Sequence, residues 1–207
     1  MDIHIFWDKR APKGLALPVQ RHMQQILDIP LHLVSNPVRV NGYSSTKHHY
    51  DAHSVLDALH IYKQRHAMTD LILLVLGDDL CTRTGAHLFG LSRETAGVSV
   101  VSGARLANEF WELPADDNLL IGRIGREGLH EIGHMLGLAH CLDASCIMAN
   151  PLCFDDLDAK HSWFCSSCRK KQMRLHSHIY AHQEQEAGNN ECIDSILIGK
   201  RLDPIIS

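Results

Sequence analysis

His130, Glu131, His134 and His140, in the run HEIGHMLGLAHC from His130 to Cys141, have the residue types and spacing for hydrolysis at a metal ion. Residues four apart on an α-helix leave the same face one turn apart, so His130 and His134 would present two imidazoles from one rigid rod. Glu131 is one position past the first of them. Its carboxylate would point to the side of the metal, where it can hold and deprotonate a water. Gly137 follows His134 by about a turn, and glycine there takes the left-handed conformation that ends a helix and swings the chain back, bringing in His140 as a third ligand. Three neutral nitrogen donors leave a fourth tetrahedral position open, and zinc held in this way lowers the pKa of a bound water to about 7.

The chain has 16 histidines, so chance has to be weighed. At that composition a random HExxH appears with a probability of about 5%, and the added glycine and third histidine lower it to roughly 10⁻⁴ to 10⁻³, which makes coincidence a poor account. A structural zinc on the three histidines would normally be closed by a fourth protein ligand, and it gives no reason for Glu131.

Cys141 directly follows the third histidine. With Cys146, Cys165 and Cys168 it makes a C-x4-C and a C-x2-C pair separated by eighteen residues. Two close pairs of thiolates satisfy a tetrahedral zinc completely, which is the pattern of a structural site. The rival assignments are two disulfides or buried free thiols. Disulfides need an oxidising compartment, and the opening residues MDIHIFWDKR lack the basic start and apolar core of a secretion signal. Two zinc ions per chain and a cytoplasmic location are therefore expected. Cys81, Cys153 and Cys192 have no comparable spacing, and Cys153 reads as a small buried side chain.

These side chains need a scaffold, and 207 residues suffice for one core, with or without a small appendage. The net charge of −4 offers no basic field to attract nucleic acid. The longest apolar run, LILLVLG from Leu71, is far shorter than the ~20 residues a membrane span requires. Asp2 to Trp7 reads as a strand and Pro18 to Ile29 as an amphipathic helix with Met23, Ile26 and Leu27 inward. Leu31 to Val40 is extended, interrupted by Pro37 and so placed near a sheet edge. Asp51 to His66 is a second helix, with Val55, Leu56, Leu59 and Tyr62 on one face. Leu71 to Leu76 is a continuous aliphatic run, the mark of a strand buried on both faces. His87 to Leu91 and Val98 to Val101 are further strands separated by SRETAG. A long helix over about 117–137 is capped by Asp116 or Asp117, and Gly122 and Gly125 allow it to pack closely under the sheet. This alternation implies an α/β layered sheet. After Cys168, RKKQMRLHSHIYAHQEQ reads as a C-terminal helix whose charges oppose the helix dipole, so packing must stabilise it. A solvated face accounts for Arg169, Lys170, Lys171 and Arg174. His49 and His53, like His178 and His182, are also four apart, without a glutamate or third ligand in register.

The combination of HEIGHMLGLAHC, then C-I-M with Cys146 and Met148, then CSSC at Cys165 to Cys168, resembles the archaemetzincin family of zinc metallopeptidases, in the metzincin clan. The motif core covers residues 130–168. The resemblance implies a metzincin-like zincin fold of the α/β (α+β) class: a mixed twisted sheet with an antiparallel edge strand, a long active-site helix and a C-terminal helical part with a four-cysteine zinc site. It implies one catalytic domain over residues 1–185, with the structural zinc module at 141–168 and a C-terminal tail at 186–207. In its terms His130, His134 and His140 hold a catalytic zinc, Glu131 is general base and acid, and Cys141, Cys146, Cys165 and Cys168 hold the structural zinc. Met148 then sits on a tight turn as an adaptable apolar floor beneath the catalytic metal.

In metzincin-like folds an extended peptide adds to the edge strand that precedes the active-site helix. By position that strand is His87 to Leu91, with Leu88, Phe89 and Gly90 at the rim. Some metzincins carry a tyrosine two residues after the turn methionine. Here Asn150 stands in that place, so stabilisation of the oxyanion would fall to the metal and to backbone N–H groups. The function expected is hydrolysis of a peptide or protein substrate by a monomer. Its rival is a non-enzymatic zinc protein that binds a peptide or partner through the edge strand, and a nucleic-acid-binding zinc protein is disfavoured by the acidic balance.

Overall fold

The structure is a computed structural model and describes residues 1–150 and 154–173. Its main sheet has five strands in the order β2-β1-β5-β9-β8: β1 (Ile3–Trp7), β2 (Leu31–Ser35), β5 (Leu71–Leu76), β8 (Gly90–Arg93) and β9 (Val98–Ser102). The first four in that order are mutually parallel and β8 closes the sheet antiparallel to β9. The all-aliphatic β5 is central and buried along its whole length, because helices cover both of its faces. Ile72, Leu74 and Leu76 meet Val55, Leu56 and Leu59 of α2 (Ala52–Arg65) on one side. Leu73, which points the other way, packs near Met23 of α1 (Ala16–Gln24) and Gly128 of α3 (Asp117–Met135).

Four short strands form a second sheet that the hydrophobic pattern did not announce. Its order is β3-β4-β6-β7, with β3 (Tyr43–Ser44), β4 (His49–Asp51), β6 (Asp79–Cys81) and β7 (His87–Leu88). Strands of two or three residues carry too few alternations to be recognised from sequence.

Several boundaries differ from expectation for local reasons. The helix expected over 18–29 ends at Gln24, whose side-chain amide donates to the carbonyls of Leu27 and Ile29 and accepts from the Leu31 N–H, turning the chain into β2. The strand expected from His87 to Leu91 is split. His87 and Leu88 join the second sheet, Phe89 bridges, and the edge strand proper is Gly90–Arg93, so part of SRETAG is sheet and not connector. Of the glycines expected to pack α3 under the sheet, Gly125 faces His22 of α1 and Gly122 meets no other element; Gly128 is the one that lies against Leu73. His49 and His53 fall on different elements, which separates that pair.

The long helix begins and ends by readable chemistry. Asp116 caps α3 by accepting from the Leu119 N–H at 2.9 Å. At its other end Gly137 takes φ 83°, the Gly137 N–H donates to the His134 carbonyl and the Leu138 N–H to that of Gly133, both at 2.9 Å. This is a Schellman turn. A short helix, α4 (Phe154–Ala159), is tied to α3 by Asp158, which accepts from Arg123 and Arg126. Residues 166–173 are helical; the rest of the expected C-terminal helix, the tail at 186–207, and Cys153 and Cys192 lie outside the described residues. Among the described residues no helix is long and apolar enough to cross a membrane.

Candidate active site and metal centres

The Schellman turn at the end of α3 reverses the chain and brings His140 against His130 and His134, so that one ligand nitrogen from each lies within 4.8 Å of the others. His130 and His134 point their Nε2 atoms at each other across 3.0 Å. The Nδ1 of His130 faces the Ile147 carbonyl, and that of His134 faces the Leu138 carbonyl, each at 2.8 Å. A carbonyl can only accept, so both Nδ1 atoms carry the proton and both Nε2 atoms turn bare lone pairs toward the same point. Burial, the largest influence, holds His130 neutral with a pKa near 3 and pulls His134 down as well. Two converging lone pairs with no donor between them suit a cation, and the carbonyl partners are the orienting groups that metal-bound histidines require. His140 is the exposed member of the three.

Glu131 is buried at 5% exposure, with Glu127 one helical turn before it at 4%. Burial, and after it the neighbouring Glu127, push the Glu131 carboxyl up from the ordinary range. Lys160, itself buried, faces this pair electrostatically and donates to the Ile147 carbonyl at 3.4 Å. That carbonyl also takes His130. Neither Glu127 nor Lys160 was singled out in the sequence, although the i−4 position of Glu127 on the same helix face was a readable signal.

The four expected cysteines gather as a second group, with Cys141 Sγ and Cys165 Sγ 3.8 Å apart. The Cys165 N–H donates to Cys146 Sγ at 3.3 Å, and a bond from the Cys168 N–H is the first cause drawing the Cys165 thiol down to about 7. Burial outweighs the amide at Cys146 and raises the Cys168 thiol as well, so Cys165 is the one of these three drawn toward the thiolate that binds metal. Met148 is fully buried against Gly133, in the turn of α3 between the two helical histidines, and its carbonyl accepts from the Cys141 N–H at 2.8 Å.

A cleft of about 800 Å³ opens over the three histidines, a size suited to a small ligand or a stretch of peptide. Leu88, Phe89 and Gly90 all line it, although only Gly90 belongs to the edge strand; Ser92, Arg105 and Asn150 line it too. Among the described residues no strand pairs with the outer side of β8. At Gly90 the strand passes so near α3 that an added Cβ would stand 2.9 Å from the Glu131 side chain.

The model for "Peptidase family M54" matches residues 10–174. The archaemetzincin of Pyrococcus furiosus is 32% identical over 136 residues, 65% of this chain and 70% of that protein. That of Thermococcus kodakarensis is 38% identical over 96 residues, 46% of this chain, and the match spans about half (52%) of that relative's length. A solved zinc-dependent peptidase from Methanocorpusculum labreanum superposes with a TM-score of 0.77 at 36% identity, covering 82% of this chain and 99% of that one. Archaemetzincin from Methanopyrus kandleri gives 0.71 at 26% identity, with 86% and 96% covered.

Proposed function

Since the chain belongs to peptidase family M54, with the archaemetzincins among its relatives, we propose that its cleft hydrolyses peptide bonds and that His130, His134 and His140 hold a catalytic zinc there. The observation that carries this reading is the pair of bare Nε2 lone pairs meeting 3.0 Å apart beside a buried glutamate. A zinc ion at such a site supplies Lewis acidity, polarising the scissile carbonyl and acidifying water. Glu131 takes the proton of the attacking water and delivers it to the leaving amine. Its raised proton affinity suits both halves of that exchange. The outer edge of Gly90–Arg93 offers backbone groups to which an extended substrate adds as a further antiparallel strand, which fixes the scissile bond over the histidines.

Cys141, Cys146, Cys165 and Cys168 hold a second, structural zinc in this reading, within a single catalytic domain over residues 1–185. Thiolates that bind zinc and do not pair as disulfides accord with a reducing, cytoplasmic setting. The test is cleavage of a peptide library by the zinc-loaded chain. Activity is expected to disappear with a chelator and return with zinc. Binding of peptides without any cleavage, unchanged by the chelator, would favour a non-enzymatic peptide-binding role instead.

The close approach at Gly90 yields a further expectation. Gly90→Ala should displace Glu131 and lower kcat/KM by about 100-fold, the effect of misplacing a catalytic group by roughly an ångström. Zinc content should not change. Wild-type turnover in this variant would show that β8 does not set the position of the base.

A further inference from the structure

Cys81 takes no part in the two centres above, yet it is completely buried and has polar company. In the antiparallel pair β6–β7 it stands directly opposite His87. Strand alternation puts Asp79, two residues earlier, on the same face. The three side chains meet there: Cys81 Sγ is 3.1 Å from His87 Nδ1, and Asp79 Oδ2 is 3.0 Å from that same nitrogen. One ring nitrogen thus faces both a thiol and a carboxylate, and with a single hydrogen it can serve only one of them. A cation would satisfy all three.

The cluster is also held in place. Asp79 Oδ1 accepts from Arg105 Nε at 2.8 Å and from the Leu80 N–H at 2.9 Å, which leaves Oδ2 turned to the cysteine and histidine. Its ligand atoms lie within 4.8 Å of one another, as do those of the histidine and four-cysteine groups. We propose that Asp79, Cys81 and His87 form a third metal site, open at one position, for a divalent cation of the zinc class at the rim of the catalytic cleft.

The donor set selects that class. One sulfur, one imidazole nitrogen and one carboxylate oxygen suit a borderline ion in tetrahedral geometry, whereas magnesium and calcium require oxygen shells. Burial, and then Asp79, hold the Cys81 thiol protonated in the metal-free state. Binding therefore replaces the S–H bond with a sulfur–metal bond and releases the proton to solvent. His87 is exposed and lines the cleft, which gives the ion a route in.

The test compares the full chain with His87→Ala and Cys81→Ser after loading with zinc and removing the loosely bound excess. Elemental analysis is expected to show one equivalent fewer in both variants than in the unaltered chain. Cobalt loading should show a weaker sulfur-to-metal charge-transfer band in Cys81→Ser. The readout is a difference between chains, so an error in the two-zinc reading would shift every total and leave the difference intact. His87 is at the surface and its replacement leaves the fold alone; should Cys81→Ser fail to fold, His87→Ala decides. Equal zinc content in the unaltered chain and His87→Ala would overturn the site.

Discussion

Glu131→Gln is expected to lower kcat/KM for peptide hydrolysis by about 10² to 10⁴, the range that general acid–base catalysis supplies, while the protein stays folded and keeps its zinc. The amide matches the carboxylate in shape and cannot take the proton of the attacking water. Loss of the fold is not a rival explanation, because burial, and after it the neighbouring Glu127, already disfavour the Glu131 carboxylate in the folded chain. A neutral amide removes the cost of burying that charge and the smaller repulsion from Glu127. The thermal midpoint of the metal-free variant should therefore equal or exceed that of the unaltered chain, as when an active-site strain is removed. Elemental analysis, a melting curve and turnover on one peptide together decide. Retained turnover would eliminate Glu131 as the base, and zinc lost along with turnover would make it a support for the ligands.

Cys165→Ser or Cys168→Ser is expected to remove the zinc proposed on the four cysteines and also to weaken the one proposed on the three histidines by about 10- to 100-fold, the usual effect of losing the groups that orient metal ligands. Adjacency of His140 and Cys141 already suggests a mechanical link. The structure adds a second and stronger route. Between Cys141 and Cys146 the chain turns, and the two residues after Cys146 are Ile147, whose carbonyl orients His130, and Met148, which packs on Gly133. The Ile147 N–H is held in turn by the Trp163 carbonyl at 3.2 Å, on the segment that leads into Cys165. Releasing one cysteine frees both the floor and the orienting carbonyl of the histidine site. Zinc titration against a competing chelator measures the affinity. Loss of a single equivalent, with the remaining zinc as tightly held and activity unchanged, would show the two centres to be independent.

The histidines and the four cysteines were legible because each group is local in sequence. Helical spacing alone relates His130 to His134, a left-handed glycine alone predicts the turn to His140, and short C-x4-C and C-x2-C pairs announce their own geometry. The aliphatic run at Leu71–Leu76 was equally plain, since a strand covered on both faces has no polar side to display. The edge strand was harder. Its residues are half-buried, and nothing in GLSR or HLFG says where one sheet is left and another joined. The break at Phe89 is set by a change of pairing partner, from Leu80 opposite Leu88 in one sheet to Val101 opposite Gly90 in the other.

By itself, then, the sequence determined the reaction class, the helix that carries it and the presence of a cysteine cluster, because those depend on periodicities within a few turns of chain. Tertiary structure alone decided which buried groups share a low-dielectric space. It buried Glu127 and Glu131 together, put Lys160 beside them, brought Gly90 against Glu131, and joined Asp79 and Cys81 to His87 across a hairpin. Proton affinity and metal binding follow distance and solvent exclusion, and both are created only when separate elements pack together.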